Sequence, residues 1–188
     1  MAEPFEQILV LDFGSQYTQL ITRCCREEGI YSKIAPWDHP ISKIREINPV
    51  GIILSGGPNS VYAAGAPRRW KDLAALTIPI LGICYGMQLM VLGHDGEVTS
   101  SKHHEYGSAS IEPDLTSRLF RDLEKSEPVW MSHGDHVTQL PEGWYQTATS
   151  DSGVIAAIEH GEKPLFGVQF HPEVSHTQAG SQIIRNFI

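Results

Sequence analysis

Three short apolar runs and one mixed strand-like segment, the second in order, each opening into a turn and then helix-forming sequence, restrict this chain to one kind of architecture. They are Gln7-Ile8-Leu9-Val10-Leu11-Asp12, Tyr31-Ser32-Lys33-Ile34, Val50-Gly51-Ile52-Ile53-Leu54-Ser55 and Ile80-Leu81-Gly82-Ile83. Runs that are continuously apolar rather than alternating suit strands buried on both faces of a parallel sheet. After the first run, Tyr17, Leu20, Ile21, Cys24 and Cys25 fall at helical spacing, with Ser15 as the expected N-cap and Gly29 as the stop. Cys24 and Cys25 are expected to pack beneath that helix. A weak helix over 41–47 follows Pro36 and Pro40, and Pro67 is expected to start another through Trp70, Leu73 and Leu76 that Pro79 ends. Repeated strand-then-helix units imply right-handed crossovers, a doubly wound sheet, and a ligand site at the carboxyl ends of the strands. Asp12, Ser55 and Cys84 all lie at such ends.

After Gly96 the rhythm changes to short segments at 106–111, 129–132, 146–150, 154–159 and 165–169, separated by turns such as Pro141-Glu142-Gly143. These read as an antiparallel extension and edge of the same sheet. The expected fold class is therefore α/β: an open, mostly parallel doubly wound sheet flanked by helices, extended antiparallel in the C-terminal half. At 188 residues the chain fits a single domain, 1–188. It closes on helical, apolar Phe187-Ile188 without a stop signal, so a piece of a longer polypeptide is the expectation.

The chemistry concentrates at Gly82-Ile83-Cys84-Tyr85-Gly86-Met87-Gln88. A strand entering Gly-x-Cys-x-Gly and leaving as a helix has the layout of a nucleophile elbow with sulfur in place of oxygen. The glycines let backbone pass against backbone, and a helix N-terminus favours an anion. A thiol nucleophile needs a base and a group to orient it. Val168-Gln169-Phe170-His171-Pro172-Glu173 supplies both: Pro172 disfavours helical geometry at His171, and an extended stretch would turn His171 and Glu173 to one side. Acyl transfer also needs oxyanion donors. The Tyr85 N–H offers one, and Gly57 in the loop Gly56-Gly57-Pro58 offers a second. Trp130-Met131-Ser132-His133-Gly134-Asp135-His136 is a further candidate segment, although a histidine there is more often structural.

Other classes fall away. Asp12-Phe13-Gly14 echoes a kinase magnesium motif but has no catalytic-loop motif before it. His94, His103 and His104 lack metal-ligand spacing and read as solvated loop histidines, so no metal is expected. A net charge of −8 argues against nucleic-acid binding, and no apolar run approaches the roughly 20 residues that span a bilayer. The acidic N-terminus is unlike a signal peptide, and three cysteines with no framework spacing suit a reducing cytoplasm.

Ser55-Gly56-Gly57-Pro58, Gly82-Ile83-Cys84-Tyr85-Gly86-Met87-Gln88 and Gln169-Phe170-His171-Pro172-Glu173 together resemble the class I, triad-type glutamine amidotransferases, over essentially the whole chain. Leu11-Asp12-Phe13-Gly14-Ser15-Gln16-Tyr17, Met131-Ser132-His133-Gly134-Asp135 and Val174-Ser175-His176-Thr177 resemble the branch of that family serving GMP synthesis. The resemblance implies a flavodoxin-like fold. It also implies a catalytic Cys84, His171 and Glu173, an oxyanion hole at Gly57 and Tyr85, and a glutamine site at Gly56, Gln88, Ser132 and His133. No cofactor is implied in this domain, because ATP and magnesium serve a partner ATP-pyrophosphatase that aminates xanthosine monophosphate (XMP). That partner is either fused or separate, and its Ser-Gly-Gly-x-Asp loop does not occur here. The full-length protein is expected to pair as a homodimer, and the domain without its partner to be a weak or uncoupled glutaminase.

Two positions depart from the family pattern. Gly93-His94-Asp95-Gly96 replaces the usual Gly-Gly ending, so the elbow helix is expected to end early or irregularly. His104 stands where arginine is common, which weakens the case for an ion pair to the partner. The competing readings are an amidotransferase of another pathway, a free-standing hydrolase of γ-glutamyl or peptide bonds on the same fold, and a non-catalytic docking module.

Overall fold

The computed structural model describes residues 6–188, with side chains at 101–104 excluded. Residues 1–5 of the acidic N-terminus, the side chains of His103 and His104, and the departure at His104 lie outside the described residues. The first half runs β1 (Gln7–Asp12), α1 (Thr18–Glu27), β2 (Tyr31–Pro36), α2 (Ile41–Ile47), β3 (Gly51–Leu54), α3 (Trp70–Ala74), β4 (Ile80–Ile83) and α4 (Tyr85–Leu92). The second half runs β5 (Glu97–Pro113), a short 3-10 turn, β6 (Glu127–Gln139), β7 (Trp144–Ser150), β8 (Ile155–His160), β9 (Leu165–Val168) and α5 (Gly180–Phe187).

All nine strands form one sheet in the order β2-β1-β3-β4-β9-β8-β7-β5-β6. β2, β1, β3, β4 and β9 are mutually parallel, and β8, β7, β5 and β6 continue antiparallel. Alternate residues of each central strand enter opposite cores. Ile8, Val10, Ile53, Leu81 and Ile83 pack with Ile21 of α1 and Ile183, Ile184 and Phe187 of α5. Leu9, Leu11, Ile52, Leu54 and Ile80 pack with Ile44 of α2, Leu73 of α3 and Met87 of α4. Period-2 side-chain alternation with both faces covered requires runs that are apolar throughout.

Residues 165–169 depart most from the sequence reading. β9 pairs parallel with β4, with Gly82 opposite Gly167 and Ile83 opposite Val168, instead of lying in the antiparallel extension. The extension begins at β8. Helix α1 buries Thr18, Ile21, Thr22 and Cys25, one position round from the expected face. Threonines serve there because Thr18 Oγ1 donates to Asp12 Oδ1 at 2.8 Å and Thr22 Oγ1 to Gln19 O at 2.8 Å. Cys24 is consequently only half-buried, and Ser15 caps nothing within the helix, since its hydroxyl accepts from the Tyr17 N–H before α1 begins. α3 starts at Trp70 rather than Pro67, whose carbonyl instead accepts from the Tyr85 hydroxyl at 2.8 Å.

α4 ends at Leu92, and Asp95 reverses the chain at φ 66° so that the Gly96 N–H reaches Val91 O at 3.0 Å. A Cβ on Gly93 would lie 1.9 Å from Trp70 Cδ1, which accounts for glycine there. His94 is not a solvated loop residue. It is half-buried, accepts from Trp70 Nε1 at 3.1 Å, and meets the rings of Trp144 and His160 at 5.2 and 6.2 Å.

Candidate active site

Cys84 sits between β4 and α4 at φ 50°, ψ −103°, a conformation that side-chain-bearing residues rarely adopt. The surroundings impose it. A Cβ on Gly82 would come within 2.6 Å of the Gly86 backbone, and one on Gly86 within 2.7 Å of Leu54. Only glycine therefore fits on either side of the elbow. The Cys84 N–H donates to Val168 O at 2.8 Å, which anchors the elbow to the end of β9.

His171 follows three residues after that strand, so placing β9 beside β4 carries the imidazole to the thiol. Its Nδ1 lies 2.8 Å from Glu173 Oε1, and the Glu173 side chain is fully buried. This contact crosses a turn at 172–173 rather than running along an extended stretch. Burial by itself would push the His171 pKa down. Hydrogen bonding to Cys84 and Glu173, together with their charges, outweighs burial and holds the pKa at about 10. Tyr17 meets the imidazole edge-on, with ring centroids 5.3 Å apart. Behind the ring, the His171 N–H donates to Trp130 O at 3.0 Å, while Thr177 Oγ1 donates to His171 O at 2.6 Å and accepts from the Trp130 N–H at 3.0 Å. The half-buried Cys24 thiol, pushed up to about 11 by burial, lies 3.8 Å from Glu173 O.

The loop after β3 forms the opposite wall. A Cβ on Gly56 would approach His171 Cε1 to 3.0 Å, and one on Gly57 would reach Phe13 O at 2.8 Å. Gly57 packs beside the Tyr85 ring, whose phenol turns away to Pro67, leaving the Tyr85 backbone at the site. As the first residue of α4, Tyr85 has an N–H with no intrahelical acceptor.

These elements enclose a pocket of about 500 Å³ lined by Cys84, His171, Gly57, Tyr85, Gln88, Tyr17 and the β6 residues Ser132 to Asp135, among others. Ser132 O is 3.7 Å from Cys84 Sγ. Gln88 Nε2 donates to Asp135 O at 2.7 Å and to Gln169 Oε1 at 3.2 Å, so its amide is fixed from two sides. His133 Nε2 lies 2.9 Å from Glu105 Oε2, but off alignment, so neither atom has a hydrogen bond. Burial pushes the His133 pKa down against the opposing pull of Glu105, which makes this histidine neutral at pH 7.

A family model described as glutamine amidotransferase class-I matches residues 9–188. The chain belongs to the class-I glutamine amidotransferases. Among curated relatives, this amidotransferase chain is 54% identical over 183 residues to "GMP synthase [glutamine-hydrolyzing]" of Oceanobacillus iheyensis, covering 97% of the chain and 36% of that protein. It is 50% identical over 188 residues to the Bacillus cereus protein of the same name, covering 100% of the chain and 37% of that protein. The chain thus spans about a third of the length of these relatives. A solved Thermoplasma acidophilum protein, described as one subunit of GMP synthase, superposes with TM-score 0.90 at 33% identity, covering 97% and 92% of the two chains. A Thermotoga maritima glutamine amidotransferase at 22% identity shares the fold, with TM-score 0.76 over 90% and 77%. Among the described residues, no helix of the amidotransferase is long and apolar enough to cross a membrane.

Three residues at this amidotransferase pocket carried no assigned role in the sequence. Asp135 is buried, lines the pocket, and has an Oδ2 without a hydrogen-bond partner. Its place in Ser132-His133-Gly134-Asp135 was the available signal. Tyr17 and, behind the pocket wall, Thr177 stood at the ends of motifs that carried the resemblance, but their roles were not legible, because each acts through a contact with His171 that only the fold creates.

Proposed function

We propose that the chain hydrolyses the side-chain amide of glutamine and supplies the ammonia to an ATP-using partner that aminates XMP to GMP. The observation carrying this reading is the convergence of Cys84 and of His171, held from behind by Glu173, with Gly57 and Tyr85 around one pocket. Cys84 Sγ attacks the amide carbon, and the Gly57 and Tyr85 N–H groups receive the oxyanion. The imidazolium of His171, held by Glu173, protonates the amide nitrogen, and ammonia leaves a thioester. His171 then takes a proton from water, which attacks the thioester and releases glutamate. Pre-placed acid–base groups of this kind contribute roughly 10²–10⁴ in rate.

Gln88 and the Ser132 and His133 backbone hold the amino-acid end of glutamine; Gly56, expected there from the sequence, does not line the pocket. Asp135, whose Oδ2 has no hydrogen-bond partner, pairs with the ammonium group of glutamine. Thiol chemistry of this type calls for no cofactor in the domain, and ATP and magnesium belong to the partner. The kinship with GMP synthases over a third of their length supports a partner of the synthetase type, either fused or separate. Three free cysteines support a reducing, cytoplasmic setting.

The test is reconstitution with an ATP-pyrophosphatase partner and XMP. Cys84→Ser is expected to abolish glutamine-dependent GMP formation and to leave ammonia-dependent formation intact. Undiminished glutamine-dependent synthesis would overturn the reading.

A further inference from the structure

Ser55 directly follows β3, and its side chain is fully shielded from solvent and does not reach the pocket. Its hydroxyl makes two directed bonds, accepting from the Phe13 N–H at 2.9 Å and donating to Gly56 O at 2.8 Å. Its own N–H is the last rung to β1, bonding Leu11 O at 3.0 Å. One buried hydroxyl therefore joins the turn after β1 to the loop after β3.

The second bond fixes more than a carbonyl. No cis peptide occurs among the described residues, so the Gly56 C=O and the Gly57 N–H lie on opposite edges of one planar unit. Drawing the Gly56 oxygen inward to Ser55 turns the Gly57 N–H outward, to the side where Gly57 lines the pocket. Neither glycine has a side chain to hold that plane, and glycine rotates more freely than any other residue. Steric walls limit the loop, with Phe13 O behind Gly57 and His171 beside Gly56, but they do not set the direction of the N–H. An oxyanion donor is effective only when it is aimed before charge develops.

We propose that Ser55 is a positioning residue whose hydroxyl locks the Gly56–Gly57 peptide so that the Gly57 N–H faces the oxyanion. This rests on the reading of Gly57 as an oxyanion donor. Loss of a whole donor costs about 10²–10³ in kcat, so releasing one while leaving it present is expected to cost about 10- to 100-fold.

The test compares the wild-type chain with Ser55→Ala in glutamine hydrolysis and in binding two ligands. One ligand is glutamate γ-semialdehyde, whose open-chain aldehyde adds the Cys84 thiol to form a thiohemiacetal, a tetrahedral carbon whose oxygen occupies the oxyanion position. The other is glutamate, which forms none. Expected are a fall in kcat with little change in KM, an equal loss of aldehyde affinity, and unchanged glutamate affinity. Unchanged kcat, or aldehyde and glutamate weakened by the same factor, would reduce Ser55 to a structural residue and overturn the inference while the catalytic reading stands. If the wild-type chain binds the aldehyde no more tightly than glutamate, the oxyanion reading fails and this inference fails with it. Should Ser55→Ala not fold, near-isosteric Ser55→Cys, a weaker donor, carries the same comparison.

Discussion

His171 shows how burial and partnership compete at one side chain. Its pKa is raised above the ordinary value of about 6.5 to about 10, so the folded state binds a proton that the unfolded chain releases between those limits. The resulting stabilisation is complete below pH 6.5 and is lost as the pH climbs toward 10. The gap in unfolding free energy between wild type and His171→Gln should therefore narrow over that window, as denaturant titrations at successive pH values would show. Thr177 holds the same residue from behind. Thr177→Val removes both of its buried bonds and strands the Trp130 N–H, an expected cost of about 1–3 kcal/mol in a denaturant melt. Asp135→Asn leaves size and shape but removes the charge proposed to pair with the substrate's ammonium. It should raise KM for glutamine about tenfold or more while changing kcat less, as steady-state kinetics would show.

The elements differ in how far their sequence announced them. β1, β3 and β4 were legible because a strand covered on both faces must be apolar at every position, and their central residues are completely buried. The elbow was legible because Gly82 and Gly86 tolerate no Cβ. The position of β9 was not, since an apolar run states that a strand is central and leaves its neighbours open. Nor was the burial of His94, which depends on Trp70 and Trp144 arriving from distant segments. That cluster yields its own test. Gly93→Ala drives a Cβ into Trp70, an overpacking worth about 1–3 kcal/mol. A lowered thermal midpoint with shifted tryptophan fluorescence is expected, and kcat should change little because Gly93, His94 and Trp70 do not line the pocket.

The assembled molecule gathers its site from β1, β3, β4, β6 and the turn beyond β9, which is why the pocket lies at the carboxyl ends of the parallel strands. A chain ending at Pro164 would retain the elbow but lack β9 between β4 and β8. It is expected to show no cooperative thermal transition and no selective capture of Cys84 by a glutamine-like alkylator. The adjacency of β4 and β9 therefore sets an order of events during synthesis. Cys84 leaves the ribosome with more than eighty residues still to follow before His171 and Glu173, and long-range pairing of this kind forms late. A half-made chain thus carries the cysteine without its histidine partner until the last central strand slots home.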